Sequence, residues 1–359
     1  MNYCFAMDID HSLIKIMIER IADFFLYMSD NKERRLYYQA PITYTAPYAY
    51  QHSSIRDVAT VCDILDLIQF FQKQKWNLSP NAESIFSDIV KNTLEDYHTL
   101  YQKEQFLELP EGNIGDLGFY LLALNKCDTI FPSHLPQNWD QTYLRLINRI
   151  IDRQNEDGSF DIFFDASLKP YEKSSEAFYL PEALIGLINC IKVSDQVEST
   201  IQKAMTYVCQ EENRKRHLSS DTAIFYCNWQ FQLLFHWMKS KETKNSFSLE
   251  KSHLVALLDA LKMTRFANTS FDHLNATVEV ACYMEGLTHA YQSFQMMNQS
   301  GSYEGWFQEQ ISRSLEFLST VQERHLGRVC GGFVHSLNSH EARVDVAGHV
   351  FGGLKLLPG

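Results

Sequence analysis

Glycine and proline are scarce in this sequence, with 15 and 9 residues in a chain of 359. Both residue types interrupt regular structure, so their scarcity favours long helices and argues against a sandwich of many short strands. No Pro/Gly/Ser-rich tract and no polar low-complexity run divides the chain. We therefore predict one domain over residues 1–359, although chains of this length are often divided.

The sequence also lacks long apolar runs and disulfide spacing. No apolar run reaches the roughly 20 residues that a membrane-spanning helix needs, and the N-terminal residues 1–6 carry no basic group of the kind found in signal peptides. These absences predict a cytoplasmic protein without a transmembrane segment. The eight cysteines are scattered, and four of them lie in apolar stretches, namely Cys190, Cys209, Cys227 and Cys282. We expect free, buried thiols in a reducing compartment.

Basic patches are missing as well, and the formal net charge is −12. Nucleic-acid binding needs clustered Lys and Arg side chains that displace phosphate counterions. The densest basic cluster, residues 214–216, is short and follows Glu211 and Glu212. We interpret it as a solvated helix end and predict no nucleic-acid partner. The oligomeric state stays open.

The motifs of several large enzyme classes are absent, while helical periodicity is strong. The sequence contains no G-x-S-x-G, G-x-G-x-x-G or P-loop motif, which excludes α/β-hydrolase, Rossmann and P-loop readings.

Apolar residues recur at three- and four-residue spacing, which predicts about twelve helices. The stretches lie near 14–28, 58–71, 83–106, 114–126, 138–153, 174–192, 195–210, 219–239, 249–265, 271–298, 303–323 and 342–357. Good N-cap residues precede several of them, namely Ser79, Ser174 and Asp221.

Twelve helices with short connections make six antiparallel hairpins, arranged as an open solenoid or as a closed ring. A solenoid would repeat every 34–47 residues or so, and no such period is present. A longer echo does occur, because Gln154 and Gln322 each end a helix before a glycine-led loop that contains Phe160 or Phe333. Their offset of about 168 residues is close to half the chain. The echo predicts two halves of three hairpins each, in an all-α (α/α)6 toroid around a central cavity.

The stretch 154–160 reads Gln-Asn-Glu-Asp-Gly-Ser-Phe. It resembles the Q-x-x-D-G-S-F signature of the terpenoid cyclase and protein prenyltransferase superfamily, whose fold is an α/α toroid. Similar motifs occur in carbohydrate-active α/α barrels such as sugar 2-epimerases, unsaturated glycuronidases and polysaccharide lyases. The Asp-Gly pair supplies a turn with positive φ, so the motif marks a structural joint and favours the ring more than a reaction.

The resemblance does not extend to the catalytic aspartates of terpenoid cyclases, because neither D-x-D-D nor D-D-x-x-D is present. In protein prenyltransferases a zinc ion is held by an Asp and a Cys of a D-x-C motif and by a later His that opens an inner helix before Gly-Leu. Residues 345–354, which include His349, resemble that last element. No D-x-C precedes them, which puts the zinc assignment in doubt.

The residues near the C-terminus are the most unusual of the chain, since Cys330, His335, Asp345 and His349 fall within twenty positions. These four side chains are a candidate zinc-binding set, although their spacing matches no compact zinc motif. Asp345 and His349 stand four apart on a predicted helix, hence on one face. They fit a carboxylate-oriented general base equally well. The structural alternative is an acid-capped helix start with exposed histidines.

Glu285 interrupts an apolar segment beside a glycine, and Glu182 follows a proline. A carboxylate on an inner helix would have a perturbed and useful pKa, whereas Glu182 also suits a capping role in a first helical turn that Pro181 begins. The predicted catalytic residues are Glu285, Asp345 and His349. The predicted substrate-binding residues are Arg343, His335, Tyr283 and Glu182.

Three functions remain open at this point. The first is an enzyme with its active site in the toroid's cavity, similar to terpenoid cyclases or prenyltransferases. The second is a carbohydrate-active epimerase, hydrolase or lyase that uses carboxylate and His side chains for acid/base catalysis. The third is a non-catalytic toroid that binds a ligand or a protein. Aromatic residues make up 13% of the chain, which suits a small-molecule substrate of apolar or sugar character.

Overall fold

The computed structural model describes residues 10–30, 32–42, 54–103, 105, 112–219, 222–241, 247–274, 276–297 and 303–357. Within these ranges the chain forms fifteen α-helices and four very short strands. Six helices lie outside, namely α1 (His11–Tyr27), α3 (Pro80–Gln102), α5 (Trp139–Ile151), α7 (Asp195–Val208), α10 (Ser248–Lys262) and α13 (Glu304–Arg324). Six lie inside, namely α2 (Ser54–Gln74), α4 (Ile114–Ile130), α6 (Glu172–Ile188), α9 (Ala223–Ser240), α12 (Thr277–Met296) and α15 (Val344–Leu354).

The amino-acid pattern explains which helices lie inside. Outer helix α5 buries a single stripe that includes Tyr143, Leu146 and Ile150, as expected of a helix with one solvated face. Inner helix α12 buries nearly every side chain from Thr277 to Tyr291. A helix that is apolar on all sides must be surrounded by other elements. The alternation of the two patterns along the chain therefore generates two concentric layers.

The inner helices pack in the order α2, α4, α6, α9, α12 and α15, and α15 packs against α2. This last contact closes the ring and confirms the predicted (α/α)6 toroid. All twelve predicted helices are present, and three short helices were not predicted: α8 (Glu211–Leu218), α11 (Arg265–Asn268) and α14 (Leu326–Val329). They are too short to show a period in the sequence. That residues 1–359 form one domain stays a prediction.

The helix starts agree with the sequence in part. Ser79 caps α3 as predicted, because its side chain accepts a hydrogen bond of 3.1 Å from the backbone N–H of Ala82. The prediction for Ser174 was wrong, because α6 already begins at Glu172. Pro181 consequently lies inside α6 and not in its first turn. Asp221 lies outside the described residues.

Glycines allow neighbouring inner helices to approach closely. A methyl group on Gly186 of α6 would collide with the backbone of Gly118 on α4. A methyl group on Gly352 of α15 would collide with the Glu285 carboxylate on α12. Small residues at such contacts are required because backbone or a buried polar side chain already occupies the space. Both contacts determine how tightly the ring closes.

The beginning and the end of the described chain are joined by a small sheet. The four strands are β1 (Ser29–Asp30), β2 (Arg35–Leu36), β3 (Gln39–Pro41) and β4 (Glu341–Arg343). Strand β3 pairs antiparallel with β4, with Gln39 opposite Arg343. The backbone N–H of Val344 then donates a hydrogen bond of 3.1 Å to the Tyr38 carbonyl oxygen. This pairing brings Tyr38 to the start of α15.

The long-range echo in the sequence corresponds to a repeated structural joint. The side-chain amide of Gln154, just after α5, donates to the Thr200 carbonyl oxygen on α7 at 2.9 Å. The amide of Gln322, near the end of α13, donates to the Met17 carbonyl oxygen on α1 at 3.2 Å. Each glutamine thus ties one outer helix to the next outer helix of the ring. The following glycines, at 158 and 331, both have positive φ.

The prediction of free, buried thiols is confirmed for six of the eight cysteines and is wrong for Cys330, while Cys4 lies outside the described residues. The reducing compartment stays a prediction. Cys190, Cys209, Cys227 and Cys282 are free and buried, whereas Cys330 is exposed. In the part of the chain that the structure describes, no helix is both long and apolar enough to cross a membrane.

Candidate active site

The ring interior holds a buried ion pair between two neighbouring inner helices. Nδ1 of His349 on α15 lies 2.8 Å from Oε2 of Glu285 on α12. The Glu285 side chain is 8% exposed, while His349 keeps 23% of its side chain exposed. Since α15 belongs to the inner layer, we infer that the exposed part of the imidazole faces the interior of the ring. Both residues were predicted as catalytic from the sequence, but their direct pairing was not.

Two amides from a third inner helix hold the carboxylate in place. Asn228 and Gln232 on α9 donate hydrogen bonds of 3.0 Å and 3.1 Å to Oε2 of Glu285. They stand four residues apart, so both amides project from one face of α9. A polar pair at this spacing within an apolar helix was the signal that sequence analysis overlooked. The carboxylate therefore has three polar partners and little freedom to move.

Each residue of the ion pair favours the charged form of the other. Burial by itself would raise the pKa of Glu285, but the charge and hydrogen bond of His349 outweigh it and lower the pKa. Burial also disfavours the charged imidazole, yet its polar neighbours Cys282 and Glu285 raise the pKa of His349 well above its usual value. At neutral pH the pair is consequently an imidazolium beside a carboxylate.

Asp63 on α2 is a third acid/base group that sequence analysis missed. Its carboxylate packs against Gly348, the residue before His349, so tightly that a methyl group on that glycine would collide with it. Burial, with the nearby charges of Asp66 and Glu285, raises the pKa of Asp63 to about 7. A carboxyl group that titrates near neutrality can both accept and donate a proton. The signal in the sequence was an acidic residue within the apolar stripe of residues 58–71.

Glu182 is buried on α6, with 7% of its surface exposed. Its Oε2 atom has no hydrogen-bond partner among the described residues, and it packs against Gly115 on α4. Burial, together with the charge of Asp116, raises the pKa of Glu182 well above its ordinary value. Since α6 begins ten residues earlier, at Glu172, Glu182 does not cap the helix. Its buried surroundings therefore favour the protonated form of the carboxyl group.

Partly exposed aromatic rings accompany His349. Trp229 on α9 meets the His349 ring edge to face, with centroids 6.4 Å apart. Phe119 on α4 meets Trp229 in the same way at 5.9 Å. Both side chains are only partly buried, although their helices belong to the inner layer. They give the ring interior an apolar, aromatic wall beside the ion pair.

Asp345 does not orient His349, contrary to the prediction. Its carboxylate accepts hydrogen bonds from the Tyr38 hydroxyl at 2.9 Å and from Nε of Arg343 at 2.9 Å. Burial would raise the pKa of Asp345, but the Arg343 guanidinium holds it below the usual value. Asp345 and Arg343 thus form an ion pair at the start of α15, next to the β3–β4 sheet. The residue that orients His349 is Glu285.

The predicted zinc set is not assembled, and this corrects the sequence interpretation. The described residues contain no group of three or more His, Cys, Asp or Glu side chains that could hold a metal ion. Cys330 is exposed beyond α14, where partial burial of its thiol and the charge of Asp23 on α1 raise its pKa. Asp345 and His349 are engaged by Arg343 and Glu285. No step of the function proposed below therefore runs through zinc.

Two predicted substrate-binding residues lie away from the ion pair. The Tyr283 hydroxyl donates to Oε1 of Gln310 on outer helix α13 at 3.2 Å, and its ring is 2% exposed. The side chain faces outward because α12 presents that face to α13. The backbone N–H of His335 donates to the Glu341 carbonyl oxygen in the connection before α15. Neither residue belongs to the group around His349.

A comparison with solved structures agrees with this architecture. The chain is similar to the crystal structure of an unsaturated glucuronyl hydrolase specific for heparin, with a TM-score of 0.61 and 9% sequence identity. The match covers 97% of each chain, so it spans the whole ring. At this identity the likeness shows the fold, an α/α toroid. No protein-family model matches the sequence, and neither does any curated protein.

Proposed function

We propose that the protein is a carbohydrate-active hydrolase or lyase whose active site lies in the ring interior around His349, Glu285 and Asp63. The observation that carries the proposal is the fixed Glu285–His349 ion pair, which stands beside a carboxyl group that titrates near pH 7. Perturbed acids and bases that meet in a concave interior are the usual signature of acid/base catalysis.

The surroundings of each acid/base group suggest which residue donates a proton and which one removes it. The His349 imidazolium is a proton donor, and Glu285 keeps it charged and oriented. Asp63 is the group best suited to remove a proton from water or from the sugar, because its pKa of about 7 lies near neutral pH. Pairs of groups whose surroundings push their pKa values apart are typical of acid/base enzymes. Glu182, whose pKa is raised by burial, is a second candidate proton donor in the inner layer.

Sugar recognition is supported by the aromatic wall and by the structural neighbour. Apolar faces of sugar rings stack on aromatic side chains, and Trp229 and Phe119 offer such faces next to His349. The neighbour is an unsaturated glucuronyl hydrolase specific for heparin, and the match to it spans the complete ring. Fold analogy is an association and not a mechanism, so it selects the probe for the experiment below.

The terpenoid cyclase or prenyltransferase interpretation has less support. The aspartate motifs are absent from the sequence, and the zinc donors do not converge in the described residues. The third alternative, a ring that binds a ligand without catalysis, shares the aromatic wall but has no use for a carboxyl group with a pKa near 7. Turnover distinguishes it from the proposed enzyme.

The test is a turnover assay on unsaturated glucuronyl oligosaccharides and on neutral oligosaccharides. We expect the wild-type protein to cleave at least one of these classes. We expect His349→Gln and Asp63→Asn each to lower kcat by about 100-fold or more, the scale of lost general acid/base catalysis. His273→Gln, which alters an exposed histidine outside the ring interior, serves as the matched control and retains full activity. Absence of both turnover and sugar binding in the wild-type protein contradicts the proposal.

A further inference from the structure

A second charged group lies in the same interior, farther along the inner helices. Asp66 on α2 accepts a hydrogen bond from Lys126 on α4 with one carboxylate oxygen and from Lys355, just after α15, with the other. The side chains of Asp66, Lys126 and Lys355 are 16%, 22% and 25% exposed, respectively. Because α15, α2 and α4 are consecutive around the ring, the three residues face the same space.

The charges of this group do not balance. Two ammonium groups share one carboxylate, and Glu285, whose charge also acts on Lys355, is already paired with His349. Asp63 titrates at about 7 and offsets the excess only in part. An unpaired buried charge is costly unless an opposite charge joins it. The excess positive charge thus favours an anion from outside the chain.

The lysines also have unused hydrogen-bonding capacity. An ammonium group carries three donor hydrogens. The hydrogen bonds within the described residues occupy one donor on Lys126 and one on Lys355, both directed at Asp66. Four donors are therefore free for an oxygen-rich ligand. A carboxylate or sulfate group, with its several acceptor oxygens, matches this arrangement.

The location connects the lysines to the candidate active site. Lys355 follows His349 by six residues, which corresponds to about 9 Å along a helix axis. Lys126 follows Phe119 by seven residues, two helical turns, and therefore lies on the same face of α4 as that aromatic ring. A sugar unit at Trp229 and His349 can direct a charged substituent toward both lysines.

We propose that Lys126 and Lys355 form an anion-binding subsite that holds a carboxylate or sulfate group of the substrate. That the bound anion belongs to a substrate rests on the function proposed above, whereas the binding of an anion by the two lysines does not. The competing explanation is purely structural: Asp66 ties α2 to α4 and α15, and the lysines offset the negative ends of the helix dipoles. The two explanations predict different effects on glucuronate binding when the charge of Asp66 is removed.

The experiment is calorimetric titration of the full chain with glucuronate, glucose and sulfate at constant ionic strength. We expect glucuronate to bind at least about tenfold more tightly than glucose, and sulfate to compete with it. Asp66→Asn preserves the side-chain size and releases both lysines, so glucuronate binds this variant about fivefold more tightly. Lys126→Met and Lys355→Met each weaken glucuronate binding about tenfold. Lys241→Met, which removes a comparably buried lysine paired with Glu198, leaves binding unchanged.

Several outcomes overturn the proposal. One is equal binding of glucuronate and glucose by the wild-type protein, a measurement that needs no variant to fold. Another is a preference for glucuronate that Asp66→Asn reduces or leaves unchanged. Binding of sulfate without competition from glucuronate reduces the site to one for inorganic anions. Turnover of neutral sugars that is insensitive to both lysine substitutions contradicts the subsite and leaves the proposed function intact. Tight glucuronate binding without any turnover supports the subsite and contradicts the proposed function.

Discussion

The imidazole of His349 and the carboxylate of Glu285 lie 2.8 Å apart across the contact between α15 and α12. The two residues are 64 positions apart in the sequence, and the ring closure brings them together. Asn228 completes the arrangement from a third helix, with its amide 3.0 Å from the same carboxylate oxygen. Three of the six inner helices therefore meet at one polar group, so its integrity reports on both the fold and the site.

Glu285→Gln tests how strongly this pair stabilises the fold. The substitution leaves His349 without its counter-charge in a mostly buried position, so we expect a loss of about 3–5 kcal/mol in the free energy of unfolding. Glu19→Gln is the control, because Glu19 forms an exposed pair with Lys15 that contributes less than about 1 kcal/mol. Urea denaturation of both variants measures the difference. Similar losses of unfolding free energy in the two variants would show that the buried pair stabilises the fold no more than the exposed pair does.

Asp63→Asn tests the raised pKa of Asp63. A carboxyl group whose pKa is higher in the folded than in the unfolded protein stabilises the fold most at low pH, and this contribution disappears as pH rises through about 7. We expect the melting temperature of the wild-type protein to fall, relative to the variant, between about pH 4 and about pH 7, and to stay level above that range. Thermal unfolding across this range measures the effect. Parallel curves for the two proteins would place the pKa of Asp63 at its ordinary value.

Gly352→Ala tests the close approach of α15 to α12. The added methyl group would meet the Glu285 carboxylate, so we expect a loss of about 1–3 kcal/mol and a weakened ion pair. Gly305→Ala on α13 is the matched control, because a methyl group there meets nothing within 4 Å. That variant is expected to be neutral or to gain up to about 1 kcal/mol. Chemical denaturation of the two variants measures the difference, and equal stabilities would contradict the close packing of α15 against α12.

The repeated joint is tested by Gln154→Ala and Gln322→Ala. Each variant loses a hydrogen bond to the next outer helix, so we expect a cost of about 1 kcal/mol for Gln154. The cost for Gln322 is expected to reach about 2 kcal/mol, because its side chain is fully buried and a cavity remains. Gln202→Ala alters an exposed glutamine and is expected to have almost no effect. Unfolding midpoints that do not distinguish the three variants would rule out this role for the joints.

Helical periodicity was sufficient to predict the twelve long helices, whereas the closed ring also rested on the long-range echo and on the resemblance of residues 154–160 to a toroid motif. The signal was strong because each long helix has either one apolar stripe, like α5, or apolar residues on all sides, like α12. The Gln154 and Gln322 echo added the two-half arrangement, because the same contact is needed wherever one outer helix meets the next. Local pattern and tertiary packing agree at these positions.

The candidate site was only partly predictable from the sequence. Asp345 lies four residues from His349 on one helix, and this local spacing suggested a partnership that Arg343 and Tyr38 prevent. Glu285 is the actual partner, and only the closure of the ring determines that contact. Asp63 gave a weak signal, since one acidic residue within an apolar stripe is also compatible with an exposed position.

The most direct test of an interior sugar site is a crystal structure of the Asp63→Asn variant soaked with an unsaturated glucuronyl oligosaccharide. The proposal predicts a sugar ring stacked against Trp229, with a ring or glycosidic oxygen within hydrogen-bonding distance of His349. It further predicts an anionic substituent directed toward Lys126 and Lys355. A sugar bound only on the outer helices, or in the interior without contact to His349, would contradict the central claim.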